Sequence, residues 1–89
     1  MELKVFVQPN CPKCPKAKEV ARRVAEKLGL KYVEIRVDTP DGQIEALMYN
    51  VASTPSIAIG DEVIVRGDLM PEDALEREVK AKLGLAGTN

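Results

Sequence analysis

The chain has 89 residues, of which 45% are hydrophobic and 30% charged, and its formal net charge is −1. This length fits a single domain over residues 1–89, and the share of apolar residues is too high for a disordered chain. The near-neutral charge argues against nucleic-acid binding, and the lack of a long apolar run or signal-peptide pattern argues against a membrane protein, so we expect a cytoplasmic protein.

The first two predicted elements are a strand from Leu3 to Gln8 and a helix from Lys13 to Leu28. The continuous apolar run Val5–Val7 suits a strand that is buried on both faces. In the helix, apolar residues recur at spacings of three and four, which predicts one buried stripe. Gly29 is the expected left-handed stop of this helix. The stripe comprises Ala17, Val20, Ala21, Val24, Ala25 and Leu28.

A second strand and a second helix follow. Residues alternate between apolar and polar from Lys31 to Val37, which predicts a strand with one buried face and one wet face. A strand, a helix and a strand in this order form a right-handed parallel unit. Thr39 is the predicted N-cap of the second helix, with Pro40 in its first position, and the helix ends near Asn50. Its predicted apolar stripe consists of Ile44, Leu47 and Met48.

The last part of the chain predicts a hairpin and a helix. The strands Ile57–Ile59 and Val63–Val65 are joined by the turn dipeptide Gly60-Asp61. Pro71 starts the final helix, which Gly84 is expected to end, so that residues 85–89 fray. Leu75, Val79 and Leu83 should face inward, with Glu76/Lys80 and Glu78/Lys82 pairing outside. The order βαβαββα predicts an α/β fold with a four-stranded mixed sheet and helices on both faces.

Cys11 and Cys14 lie between the first strand and the first helix. The N-terminus of a helix carries unpaired N–H groups and a partial positive charge, which stabilise a thiolate and lower the thiol pKa. Lys13 adds a cation between the two sulfurs. The spacing lets both sulfurs form or open a disulfide with little movement, with Cys11 as the attacking thiol and Cys14 as the resolving thiol. We therefore expect Cys11 to be the more exposed and the more acidic of the two.

Two other interpretations of the cysteine pair carry less weight. Zinc usually takes four ligands, and this chain has two cysteines and no histidine, so no zinc site is expected within one chain. A passive structural disulfide over so short a loop would constrain the unfolded chain very little. A redox dithiol is the favoured hypothesis.

Three stretches together carry a family resemblance: Cys11-Pro12-Lys13-Cys14, Val37-Asp38-Thr39-Pro40, and Ser53-Thr54-Pro55-Ser56 ahead of the hairpin. In this order they resemble the thioredoxin/glutaredoxin superfamily, above all its small archaeal members, over nearly the whole chain. The resemblance implies a thioredoxin-like fold and a thiol–disulfide oxidoreductase. It also implies a cis bond between Thr54 and Pro55, beside the cysteines, where a client backbone docks as a short added strand.

The resemblance further implies a monomer without metal or organic cofactor that reduces client-protein disulfides in electron transport and cell redox homeostasis. A thioredoxin-reductase-type enzyme would recycle it. Cys11 and Cys14 would be the catalytic residues, Pro12 and Lys13 would tune the thiolate, and Thr54 with Pro55 would bind the client. An iron–sulfur or metal carrier of glutaredoxin type, or a redox-silent adaptor, remain alternative functions.

The chain also departs from the family pattern at several positions. Asn10 replaces the tryptophan of thioredoxins, and Lys13 replaces the aromatic residue that glutaredoxins usually carry between the cysteines. Gly67-Asp68 is interpreted as a turn rather than as a glutathione contact, which leaves glutathione use open. Val5 stands where thioredoxins have a buried aspartate, so we expect Cys14 to keep a high thiol pKa and to lose its proton to water or to Lys13. A carboxylate near Cys14 that titrates with the disulfide state would contradict this expectation, and Glu34 and Asp38 are the carboxylates to examine.

Overall fold

Seven elements follow one another in the predicted order, with boundaries that differ from the prediction by a few residues at most. The structure is a computed structural model and describes residues 1–87. Its elements are β1 (Glu2–Val7), α1 (Cys14–Leu28), β2 (Lys31–Arg36), α2 (Pro40–Met48), β3 (Ser56–Ile59), β4 (Glu62–Arg66) and α3 (Glu72–Gly87).

The four strands form one mixed sheet in the order β2-β1-β3-β4. Strand β1 runs parallel to β2 and antiparallel to β3, and β3 pairs antiparallel with β4. The predicted thioredoxin-like α/β architecture is confirmed. Because β1 lies between two neighbours and is covered on both faces, Val5 and Phe6 are completely buried.

Two hydrophobic clusters occupy the two faces of the sheet. The larger one joins α1 and α3 to the sheet through residues such as Val5, Val24 and Val79. The smaller one, around Phe6 and Ala46, joins α2 to the opposite face. Among the residues described, no helix is both long and apolar enough to cross a membrane.

Helix α1 has the predicted buried stripe, and every residue of that stripe except Leu28 is buried. It ends at Gly29, whose φ of 68° is the left-handed conformation expected of a stop. Ion pairs join α1 to α3: the Lys27 ammonium lies 2.8 Å from Glu72 and 3.4 Å from Glu76, and Arg23 lies 3.5 Å from Glu72. These contacts add to the hydrophobic cluster that packs both helices on one face of the sheet.

The predicted apolar stripe of α2 is wrong, because Ile44, Leu47 and Met48 are 57%, 77% and 73% exposed. The buried residues of α2 are Gly42 and Ala46. The face of α2 that carries these two small residues lies against the sheet. The reason is that the backbone at Gly42 approaches the backbone of β2 too closely for a larger residue. The N-cap prediction is confirmed, since the Gly42 N–H donates to the Thr39 hydroxyl at 3.0 Å. The helix ends at Met48, before Asn50.

The prediction that Gly84 ends the last helix is also wrong, since α3 continues to Gly87. A glycine ends a helix when it turns left-handed, and Gly84 does not adopt a positive φ. The fraying expected at residues 88–89 lies outside the described residues. The Glu76–Lys80 pair is confirmed at 3.1 Å. Lys82 instead pairs with Glu62 at 2.8 Å, because α3 packs beside the β3–β4 hairpin.

Candidate active site

The two cysteines form a disulfide at the entrance to α1. Asn10, with a φ of 64°, turns the chain out of β1 and into the cysteine motif. The Cα atoms of Cys11 and Cys14 are 5.4 Å apart, and the Cys14 N–H donates to the Cys11 carbonyl at 3.3 Å. Cys14 is the first residue of α1 and is 3% exposed, whereas Cys11 is only partly buried. The sulfur of Cys11 is therefore the one nearer the surface.

The N-terminus of α1 keeps its positive potential near the sulfurs. Its N-cap residue, Lys13, makes no capping hydrogen bond through its side chain, and no acidic residue lies in the first turn. Such a helix end stabilises a nearby thiolate relative to the thiol. Pro12 and Lys13 are exposed in the turn between the cysteines, and the Lys13 ammonium pairs with Asp68 at 3.6 Å.

The turn at Gly67 and Asp68 connects the cysteine motif with the loop that carries Pro55. Gly67 has a φ of 68°, and its N–H donates to the Pro55 carbonyl at 2.9 Å and to the Ser56 hydroxyl at 3.3 Å. Asp68 accepts a hydrogen bond from the Leu69 N–H at 2.8 Å in addition to its ion pair with Lys13. The carboxylate of Asp68 is thus already engaged within the chain.

Thr54 and Pro55 lie at the same end of the sheet as the cysteines. Ser56 pairs with Phe6, so Pro55 comes level with the end of β1, where the cysteine motif begins. The Thr54–Pro55 peptide bond is cis, Pro55 is buried and Thr54 is partly exposed. No hydrogen bond within residues 1–87 uses the backbone N–H or C=O of Thr54.

The side chain of Ser56 fixes the loop that carries Pro55. It is completely buried, its hydroxyl donates to the Ser53 carbonyl at 2.7 Å, and it accepts from the Gly67 N–H. A buried hydroxyl needs such partners, because an unpaired one is costly. The loop before β3 is therefore fixed on both sides of Pro55.

A cleft of about 290 Å³ opens on the other side of the cysteines, and sequence reasoning missed most of its polar lining. Lys18, Glu34 and Arg36 line it together with both cysteines. The sequence contained one indication of Lys18: it lies four residues after Cys14, and this spacing places both residues on one face of α1. Within the residues described, no group of three or more His, Cys, Asp or Glu side chains could hold a metal ion.

Asp38 is engaged elsewhere. Its carboxylate accepts two hydrogen bonds from Arg36, at 3.0 and 2.6 Å. These bonds hold the pKa of Asp38 below its usual value and raise that of Arg36. Asp38 does not line the cleft beside the cysteines, whereas Glu34 does.

Comparison with known proteins places the chain in a family. Residues 1–80 match the thioredoxin domain. A probable thioredoxin of Archaeoglobus fulgidus is 33% identical over 91% of this chain and 87% of its own length. A thioredoxin of Methanocaldococcus jannaschii is 29% identical over 93% of this chain and 96% of its own length. The structure of thioredoxin 1 from Thermosipho africanus superposes with a TM-score of 0.77 at 14% identity, covering 99% of this chain and all of that one.

A close cysteine pair at the start of α1 in this fold defines a thiol–disulfide oxidoreductase. The chain belongs to the thioredoxin family.

Proposed function

We propose that this protein reduces disulfide bonds in other proteins, with Cys11 as the attacking thiol and Cys14 as the resolving thiol. The observation that carries the proposal is the difference in burial within one disulfide: Cys14 is 3% exposed, while Cys11 is only partly buried. A client disulfide can reach the outer sulfur far more easily than the inner one, and access controls exchange rates.

The exchange proceeds in two steps that balance. The Cys11 thiolate attacks one sulfur of the client disulfide, and the client's other sulfur leaves as a thiolate. Cys14 then attacks the Cys11 sulfur, which releases the second client sulfur and closes the Cys11–Cys14 disulfide. The client gains two electrons, and the protein loses two. Because the pair is already close in the oxidised form, the second step needs little backbone movement.

Thr54 and Pro55 are the proposed client-binding residues. The unpaired N–H and C=O of Thr54 support this role, because an extended client segment could pair with them as an added strand. The Gly67–Pro55 hydrogen bond and the Lys13–Asp68 ion pair support a shared surface for the two motifs. Pro12 and Lys13 would then act on the Cys11 thiolate from within the same turn.

We further propose that a thioredoxin-reductase-type enzyme in the cytoplasm recycles the oxidised protein. The engagement of Asp68 by Lys13 and by the Leu69 N–H supports a turn rather than a glutathione contact at this position. Clients and reductase would meet the same surface, since both exchange with the outer sulfur.

Insulin reduction and client trapping test the proposal together. Wild-type protein should accelerate insulin precipitation by dithiothreitol. Cys14→Ser should retain client proteins from a lysate through bonds that dithiothreitol releases, and the matched variant Cys11→Ser should not. Trapping by Cys11→Ser but not by Cys14→Ser would reverse the roles. A wild-type protein that binds clients without reducing insulin would instead be the redox-silent adaptor.

A further inference from the structure

The cleft beside the cysteines contains a carboxylate that the proposed exchange does not yet use. Cys14 must lose a proton before it attacks Cys11, and β1 offers only apolar side chains beneath it, including Val5 and Val7. Among the described residues that line the cleft, Glu34 carries the only carboxylate. At about 290 Å³ the cleft has room for several water molecules, since one water occupies roughly 30 Å³ in the liquid.

The register of the sheet aims Glu34 at this cleft. Glu34 is the partner of Val5 across the parallel β1–β2 ladder, and side chains alternate between faces along a strand. Val5 packs in the cluster under α1, so Glu34 projects toward α1 as well. There it meets Lys18, whose ammonium lies 3.7 Å from Glu34 Oε2. Lys18 is one helical turn beyond Cys14, which brings the thiol, the ammonium and the carboxylate to one place.

The charged and titratable groups around Glu34 hold it in position. From α1, Lys18 pairs with it directly, and Arg22 lies near enough to act on Tyr32. From its own strand, the Tyr32 hydroxyl donates to Oε1 at 3.4 Å, and burial, with the Glu34 charge, raises the pKa of Tyr32 to about 12. Tyr32 therefore remains a hydrogen-bond donor at all working pH values.

Arg36 completes the surroundings of Glu34, and its guanidinium is paired with Asp38. The side chain of Glu34 is 37% exposed, so a proton that it accepts can pass to bulk water.

We propose that Glu34 accepts, through water in the cleft, the proton that Cys14 loses during resolution, and that Lys18 positions its carboxylate. The inference rests on the proposed roles of the two cysteines. The Cys14 S–H bond breaks, its proton passes through water to Glu34, and the sulfur electron pair forms the bond to Cys11. The Cys11–client bond breaks at the same time, and the departing client thiolate takes a proton from solvent.

Stopped-flow reaction of the reduced protein with Ellman's reagent measures this step directly. Attack by Cys11 releases a first thionitrobenzoate, and attack by Cys14 on the mixed disulfide releases a second. In Glu34→Gln the second phase should slow by at least about ten-fold at pH 7, while the first phase keeps its rate. Lys18→Gln should slow the second phase less. Glu26→Gln, the same change on the exposed face of α1, should leave both phases unchanged.

The sign of the effect separates a proton acceptor from a mere neighbouring charge. A carboxylate that only repelled the Cys14 thiolate would oppose its formation, so its removal would accelerate the second phase. The pH profile is the further readout: the second-phase rate of Glu34→Gln should rise about ten-fold per pH unit below neutrality, and that of wild type less steeply.

A second phase in Glu34→Gln as fast as in wild type, or faster, would overturn the inference and leave the cysteine roles intact. In contrast, a single thionitrobenzoate release that is faster in Cys11→Ser than in Cys14→Ser would identify Cys14 as the attacking thiol and overturn the proposed function itself.

Discussion

The ammonium nitrogen of Lys13 lies 3.6 Å from a carboxylate oxygen of Asp68, so the cation between the two cysteines already has a counterion. Asp68 thereby cancels part of the potential that Lys13 would exert on a Cys11 thiolate. Replacing Asp68 by asparagine should leave that charge uncompensated, and we expect the pKa of the Cys11 thiol to fall.

Iodoacetamide labelling of the reduced protein as a function of pH measures this change. At pH 6, Asp68→Asn should label about two- to three-fold faster than wild type, a modest gain because exposed ion pairs are weak. Asp61→Asn makes the same charge change in the hairpin turn at the far end of the sheet and should label like wild type. Slower labelling of Asp68→Asn would contradict the argument.

Tyr49 fixes the end of α2 to the sheet through its hydroxyl group. The hydroxyl accepts from the Lys4 ammonium at 3.0 Å and donates to the Gly60 carbonyl at 3.0 Å. Tyr49→Phe removes both bonds, and we expect the free energy of unfolding to fall by about 1–2 kcal/mol in urea titrations. Tyr32→Phe removes one longer hydrogen bond, of 3.4 Å to Glu34, and should lower the free energy of unfolding by less. Equal losses in the two variants would refute this prediction.

The ion pairs between α1 and α3 should make stability depend on pH in the acid range. Hydrogen bonds from Lys27 hold the pKa of Glu72 below its ordinary value of 4.5, and those from Lys80 and Lys27 do the same for Glu76. A carboxyl with a lowered folded pKa stabilises the fold above its unfolded pKa and loses this effect as pH falls through the folded value.

Lys27→Gln should therefore lower Tm at pH 7 by about 1–4 °C, and the difference from wild type should shrink below about pH 4. Calorimetric scans at both pH values measure it. Arg22→Gln serves as the control, because the ion pair that it breaks, between Arg22 and Glu26 at 3.4 Å, lies within α1. A difference that stayed constant from pH 7 to pH 3 would speak against the ion-pair origin.

Two helical glycines should respond in opposite directions to alanine. A Cβ at Gly42 would collide with the Arg36 carbonyl oxygen and approach Thr39 Oγ1 to 2.9 Å, whereas a Cβ at Gly84 would meet no atom within 4 Å. Alanine favours a helix over glycine by about 1 kcal/mol, so Gly84→Ala should raise the free energy of unfolding by up to that amount. Gly42→Ala should lower the free energy of unfolding, although alanine has the same advantage in helix propensity there. Urea unfolding of the two variants measures both changes.

A pair of leucines tests the orientation of α2. Leu47 is 77% exposed, and Leu75 in α3 is completely buried. Leu47→Ala should change the free energy of unfolding by no more than about 0.5 kcal/mol, while Leu75→Ala should lower it by about 2–5 kcal/mol. A large loss for Leu47→Ala would mean that this residue packs in the core after all.

The helices and strands differ in how well the sequence predicted which of their residues are buried. The stripe of α1 is a local pattern, and it predicted the buried residues of that helix except Leu28. The alternation of β2 predicted less, since Ile35 is buried, Val33 is only partly buried and Tyr32 packs against the larger core cluster. In α2, residues Ile44, Leu47 and Met48 have equally good helical spacing, yet they face solvent. The close approach of Gly42 to Arg36 decides which face packs, and no local pattern encodes an approach between two elements.

The same distinction applies to the candidate site. The cysteine pair and the Thr54-Pro55 stretch are contiguous motifs, so the sequence identified them directly. Lys13 and Asp68 are far apart in the chain, and only the folded turn at Gly67 brings them together. Glu34 could be suspected as a carboxylate, but its place in the cleft follows from its register with Val5, which the sequence leaves undetermined.

The buried hydroxyl of Ser56 has a consequence for association. Its bonds to Ser53 and Gly67 fix the backbone on both sides of Pro55 before any partner arrives. Ordering the backbone costs about 1–2 kcal/mol per residue, and a segment that is already ordered does not pay this cost on binding. A partner strand that docks at Thr54 therefore needs only a small contact area to be held. A small contact area also permits rapid release, which would suit the proposed exchange with one client after another.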